Sequence, residues 1–137
     1  MNKENFELSC TFPVSADRLY HAWLSSDEHT AFTGGEASIE NLADSNFTAW
    51  DGYIDGKILE LDPGKRILQT WRTTDFPFKA EYSVLELVFE EIEGGCRLNL
   101  YHENIPEGQG KDYEKGWVEH YFKPMTEYFE SFGKYIV

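Results

Sequence analysis

Between Tyr113 and Phe132 the chain sets out Trp117, Val118, Tyr121, Phe122, Met125, Tyr128, Phe129 and Phe132, most of them three or four residues apart. That spacing draws one broad apolar stripe along a helix. A stripe so aromatic demands a partner surface of matching size. Each large side chain removed from water contributes roughly 1.5–3 kcal/mol, which an isolated helix never collects. The rest of the chain must therefore supply a surface able to grip a helix.

The upstream pattern fits such a surface. Phe6-Glu7-Leu8-Ser9-Cys10-Thr11-Phe12 alternates apolar and polar residues, the period of a half-buried strand with its even-numbered residues inward. Pro13 closes that strand. Ser15 is placed as the N-cap of a helix over 16–24, with Val14 and Leu19 as a hydrophobic staple and Leu19, Tyr20, Trp23 and Leu24 as the buried face. Ser25 with Glu28 forms a capping-box pattern for a second short helix, which Gly34-Gly35 ends.

From Glu36 the period becomes twofold, with turn signals at Asp51-Gly52, Asp55-Gly56, Asp62-Pro63-Gly64 and Gly94-Gly95. Strands are expected over 36–41, 46–51, 54–61, 65–74, 81–91 and 95–103, which with the first makes about seven. Hairpin connections imply an antiparallel sheet, so the class is α+β with helices on one face. Pro124 cannot donate a hydrogen bond to the carbonyl of His120. A kink near Lys123-Pro124 is expected, letting the helix follow a curved sheet or hold open a space beneath it.

A chain of 137 residues with 41% hydrophobic content fits one domain over 1–137, able to bury about two-thirds of its unfolded surface. Its 12 basic against 25 acidic residues leave a formal charge of −13. Nucleic acid and anionic membranes are therefore not expected partners, because phosphates are held by clusters of Lys and Arg. The start, Met1-Asn2-Lys3-Glu4-Asn5, lacks a signal-peptide pattern, and no apolar run approaches the roughly 18 residues of a membrane span. A cytoplasmic location is expected. Cys10 and Cys96 read as free thiols acting as small buried hydrophobes.

No residue pattern dictates a reaction. Ser15, Ser25 and Ser26 stand where helix caps belong. The four histidines, His21, His29, His102 and His120, lack metal-ligand spacing. No Gly-rich loop leads a strand into a helix. No catalytic set, metal or cofactor is expected.

Several fragments in order along the chain carry a family resemblance. They are Val14-Ser15-Ala16-Asp17-Arg18-Leu19-Tyr20 with Trp23-Leu24, Ala31-Phe32-Thr33, Asn46-Phe47 with Asp51-Gly52 and Gly56, and Ile67 with Trp71-Arg72. Asn104-Ile105-Pro106, Gly116-Trp117 and Tyr121-Phe122 complete the series. Over roughly residues 6–132 the chain resembles the helix-grip fold of the START and pollen-allergen (SRPBCC) superfamily. More narrowly, it is similar to the C-terminal domain of the activator of the ninety-kilodalton heat-shock protein ATPase and its single-domain bacterial homologues. The eukaryotic activators also carry an N-terminal domain with an Asn- and Trp-rich motif tied to ATPase stimulation, and neither is found in this sequence. The family name alone therefore does not imply stimulation.

The resemblance implies a curved sheet that leaves a cavity around the last helix. Phe32, Phe47, Trp71, Leu85, Leu87, Trp117, Tyr121 and Met125 are the residues expected to line it, with Arg72 or Tyr101 as polar anchors. Simple core packing is the alternative role for each. The implied function is a non-enzymatic, co-chaperone-like binding domain of the stress response, holding a hydrophobic or amphipathic small molecule or a chaperone-type protein. The alternatives are a cyclase, dehydratase or hydrolase of the same superfamily, drawing on His102, Glu86 and Tyr101, or a dimerising structural module.

Overall fold

The alternating segments form six antiparallel strands: β1 Glu4–Phe12, β2 Asn46–Ala49, β3 Ile54–Asp62, β4 Arg66–Thr73, β5 Ser83–Ile92 and β6 Gly95–Ile105. A computed structural model describes the backbone of residues 3–135 and the side chains of residues 3–131. The strands lie in the order β1-β6-β5-β4-β3-β2. Helices α1 (Ala16–Trp23) and α2 (Ser26–Thr33) connect β1 to the opposite edge, and α3 (Gly110–Trp117) and α4 (Lys123–Tyr135) follow β6. One face of the sheet is buried. Ile67 and Trp71 of β4, Leu85, Leu87 and Phe89 of β5, and Leu98, Leu100 and His102 of β6 all point into it, as the twofold period requires.

The strand expected over 36–41 does not form, which accounts for six strands in place of seven. That segment contributes a single bridge, Ser38 to Thr48. Its backbone groups are taken up by side chains of α2. The Ser26 hydroxyl accepts from Ile39 N at 2.8 Å and donates to Ile39 O at 3.0 Å, and Thr30 Oγ1 accepts from Ala37 N at 2.9 Å. Ala37 and Ile39 are buried alternately without a ladder. Asp55-Gly56 is likewise no turn but part of β3, where Gly56 pairs with Phe47. A Cβ at Gly56 would collide with the Thr70 carbonyl oxygen and the Phe47 ring, so glycine is needed there for close backbone approach.

Both helix caps form. Ser15 Oγ accepts from Arg18 N at 3.1 Å and Ser25 Oγ from Glu28 N at 3.2 Å, while Gly34 ends α2 in the left-handed conformation. Glu28 does not complete a capping box. Its carboxylate instead takes two hydrogen bonds from the Arg18 guanidinium, at 2.8 and 2.6 Å, and one from Tyr128 OH at 2.8 Å. The Arg18 bonds hold its pKa below the usual carboxylate value. This joint ties α1, α2 and α4 together.

The stripe does not ride on one regular helix. Between α3 and α4 the residues Val118–Phe122 form a π turn, in which Lys123 N donates to Val118 O. Pro124, which has no N–H, falls in the first turn of α4, where none is needed. The irregularity lies in the widened turn just before the proline, and at Lys123-Pro124 itself α4 is regular helix. Trp117, Tyr121, Phe122, Met125 and Phe129 are buried, whereas Val118 is 42% exposed and so stands off the stripe. The side chain of Phe132 lies outside the described residues. Phe12 of β1 meets Phe122 and Phe129 edge-on at 6.3 and 6.2 Å between ring centres.

Gly56→Ala is expected to lower stability by about 1–3 kcal/mol through overpacking. Urea unfolding midpoints of the two proteins measure this, and an unchanged midpoint would contradict it.

Candidate functional site: an aromatic recess

Where the π turn faces the start of β3 and the end of β4, the packing leaves a recess of about 310 Å³. Its walls are Trp50, Tyr53, Ile54, Trp71, Tyr113, Trp117, His120 and Tyr121, with Gly116 as a gap in the helix face.

Two buried histidines hold the helix side of this recess. Trp117 Nε1 donates to His102 Nδ1 at 3.1 Å. The Ser83 hydroxyl donates to Trp71 O at 2.5 Å, so across the 2.9 Å contact with His102 Nε2 it is the imidazole that donates. His102 is thereby fixed as the neutral Nε2–H tautomer, and its ring sits 4.6 Å from that of Trp71. Burial pushes its pKa down to about 3. On the other side His29 Nδ1 donates to Trp23 O at 2.9 Å, and His29 Nε2 accepts from Tyr121 OH at 2.9 Å. Burial lowers the pKa of His29 to about 4, opposed by the bond to Trp23, and burial also raises that of Tyr121.

The β4 end is closed by a polar chain. Thr73 Oγ1 accepts from Asp75 N at 3.1 Å and donates to Tyr113 OH at 2.6 Å, and Tyr113 OH donates to Gln109 Oε1 at 2.6 Å. Burial raises the Tyr113 phenol to about 12. Tyr53 OH donates to Asp75 Oδ2 at 2.6 Å.

Trp50 is held at the cost of backbone strain. Trp50, Asp51 and Gly52 all have positive φ, at 53°, 59° and 90°. A left-handed conformation costs roughly 1–2 kcal/mol for each residue that carries a Cβ. Glu36 holds the turn through two bonds of 3.0 Å, one from Asp51 N to its carbonyl and one from its own N to Asp51 Oδ1. Gly35 provides the room, since a Cβ there would lie 2.8 Å from Trp50 Cε3. The Trp50 ring ends 5.9 Å from His120 and 6.4 Å from Tyr121.

Of the residues expected to line a cavity, Trp71, Trp117 and Tyr121 are brought together in this recess. Phe32, Leu85, Leu87 and Met125 are packed into the core. Phe47 borders a separate surface depression with Asp55, Thr70 and Tyr82. Arg72 points away from the recess and donates to Ala80 O and Pro77 O, pinning the loop between β4 and β5. Glu86 and Tyr101 alternate with the buried residues of β5 and β6 and lie on the outer face, where Glu86 pairs with Arg66. Of the three titratable groups proposed for catalysis, only His102 is interior. Trp50, Tyr53, Ile54, Tyr113, Gly116 and His120 were not anticipated. Tyr113 could have been found as the residue one turn before Trp117, and Gly116 as the small residue beside it.

Residues 13–130 match the family model described as Activator of Hsp90 ATPase homolog 1-like protein. The chain belongs to this family. Among activator-family relatives, the human activator of 90 kDa heat shock protein ATPase homolog 1 is 27% identical over 119 residues, which are 87% of this chain and 35% of that protein. This chain therefore spans about a third of the length of that curated relative. An HSP90 activator from Plasmodium falciparum has a TM-score of 0.76 at 24% identity, covering 86% of this chain and 89% of that one. DynU16, from the dynemicin biosynthetic locus, has a TM-score of 0.76 at 14% identity, covering 92% of this chain and 47% of that one. At these identities the solved structures establish the helix-grip fold. Among the described residues no helix is long and apolar enough to cross a membrane.

The two buried histidines predict an acid-sensitive fold. Their folded pKa values, about 4 for His29 and about 3 for His102, lie below the ordinary histidine value of 6.5, so the unfolded chain binds protons that the folded chain refuses. Their contribution is complete above pH 6.5 and is lost as pH falls toward 4 and then 3, on the order of 3 kcal/mol for His29. Thermal midpoints should drop between pH 6.5 and 4.5, and His102→Asn should flatten that slope. A midpoint independent of pH in this window would refute the assignment of neutral histidines.

Proposed function

We propose that residues 1–137 act as one non-enzymatic binding domain whose aromatic recess takes a hydrophobic or amphipathic small molecule. The observation that carries this reading is the recess itself. Its volume of about 310 Å³ falls within the roughly 300–1,000 Å³ of small-molecule sites, which are mostly apolar with a few polar groups. The strained Trp50 turn supports it, because backbone strain persists where the surroundings impose it and gathers at ligand clamps. A binding role is also favoured over a cyclase, dehydratase or hydrolase by the state of His102, which is neutral, buried and already bonded at both ring nitrogens. The reading includes a cytoplasmic location without nucleic-acid or membrane partners, supported by the charge of −13.

Gly116 offers a direct test. A Cβ there would meet only His120 Cδ2, at 4.0 Å, so a larger side chain can enter the recess without disturbing the helix. Gly116→Leu is expected to abolish binding of the neutral fluorescent probe N-phenyl-1-naphthylamine. Stability should be unchanged or higher, since glycine costs a helix interior roughly 0.8–1 kcal/mol relative to alanine and leucine ranks just below alanine. Failure of the native protein to bind at tens of micromolar, or undiminished binding by the variant, would sink the proposal.

A second reading, a chaperone-type protein partner, is favoured by the names of the relatives, which are activators of heat-shock protein 90 ATPase. Co-sedimentation with such a chaperone and its ATPase rate are the measurements. Binding in the micromolar range is expected, and none at tens of micromolar would reject this reading.

A further inference from the structure

We propose that the recess selects a cation, specifically an amphiphilic quaternary ammonium group with an apolar or aromatic body. This rests on the small-molecule reading above and narrows it. Six of the nine residues around the recess are aromatic: Trp50, Tyr53, Trp71, Tyr113, Trp117 and Tyr121. The faces of such rings carry negative potential and attract a nearby positive charge, the principle by which aromatic cages hold methylated ammonium groups.

The surroundings add charge complementarity. The recess adjoins a wider polar depression, with which it shares Tyr53, Tyr113, Gly116 and His120 as lining residues. There the rim carries three carboxylates, Asp75, Asp112 and Glu119, against one lysine, Lys115. The chain as a whole has a charge of −13. An anionic guest would have to enter past this rim against repulsion, and a neutral one would gain nothing from it. A quaternary ammonium suits the recess in another respect: it has no N–H to satisfy, and the Tyr53, Tyr113 and Tyr121 hydroxyls already have partners within the protein.

The test compares benzyltrimethylammonium with neopentylbenzene, its neutral carbon isostere, and with phenylacetate as an anion of similar size. Binding is followed through the four indole N–H signals of the native protein. Trp50, Trp71 and Trp117 line the recess and should move most, and Trp23, which packs behind Trp117 and Tyr121 with its N–H on Gln69 Oε1, should move least. The ammonium compound should bind at least tenfold more tightly than the isostere, although the isostere is the more hydrophobic. The double variant Asp112→Asn/Glu119→Gln should reduce that preference about threefold or more.

Equal or tighter binding of neopentylbenzene overturns the cation proposal and leaves the apolar-site reading standing. Preferential binding of phenylacetate overturns it as well. If neither the ammonium compound nor its isostere binds, both the proposal and the reading beneath it fail. An unchanged preference in the double variant removes the rim from the recognition and overturns the electrostatic argument.

Discussion

The structure depends first on a neutral imidazole in a dry place. His102 receives the Trp117 N–H on one nitrogen and donates to Ser83 with the other. One ring therefore fastens α3 to β5 and β6 and stands against Trp71 of β4. His29 does the same one turn further on, between the Trp23 carbonyl and Tyr121. Two residues of one helical stripe are thus fixed by two histidines that approach from opposite sides, the sheet and α2. Buried polar networks of this kind stiffen a core when every member is paired, and these two are paired throughout. Trp71, Trp117 and Tyr121, which pack ring to ring at 5.9 and 4.6 Å, form one wall of the recess, and the two histidines tie that wall from behind.

Much of the fold can be read in the sequence because local chemistry and global architecture agree there. Ser15, Ser25 and Gly34 sit at their caps, and the alternation from β3 through β6 matches the buried face of the sheet. The reading fails where one pattern has two causes. Ala37 and Ile39 alternate in burial as a strand would, yet their segment is hydrogen-bonded by serine and threonine side chains. Asp55-Gly56 looks like a turn but answers a need for close backbone approach to Thr70.

The site was less legible. Trp71, Trp117 and Tyr121 were visible as large apolar residues on the right elements, but nothing in a one-dimensional pattern separates a recess wall from core filling, and Leu85, Leu87 and Met125 proved to be filling. Trp50 is the sharper case. A bulky residue in a left-handed conformation contradicts propensity, and only the pairing of Asp51 with Glu36, together with the missing side chain at Gly35, makes it possible. The histidines are scattered in sequence, and no spacing there marks His29 and His102 as a pair of structural ties. Their partners come from distant elements, and only the register of β5 against β6 brings Ser83 beside His102.

The π turn at Val118–Phe122 also bears on how this chain can change. A π turn amounts to a helix holding one residue more than its turn requires, and Pro124 stands where a regular ladder would have called on its absent N–H. The two irregularities are complementary: the wide turn leaves the proline nothing to donate to, and the proline keeps the turn from tightening. In a regular helix each step of four residues overshoots a full turn by about 40°, so the series Trp117, Tyr121, Met125 and Phe129 would wind away from the sheet. The surplus residue takes up part of that drift. Removing either one alone is therefore costly: a regular ladder would call on an N–H that Pro124 lacks, and a residue with an N–H at 124 would let the turn tighten and rotate Met125 and Phe129 relative to Trp117 and Tyr121.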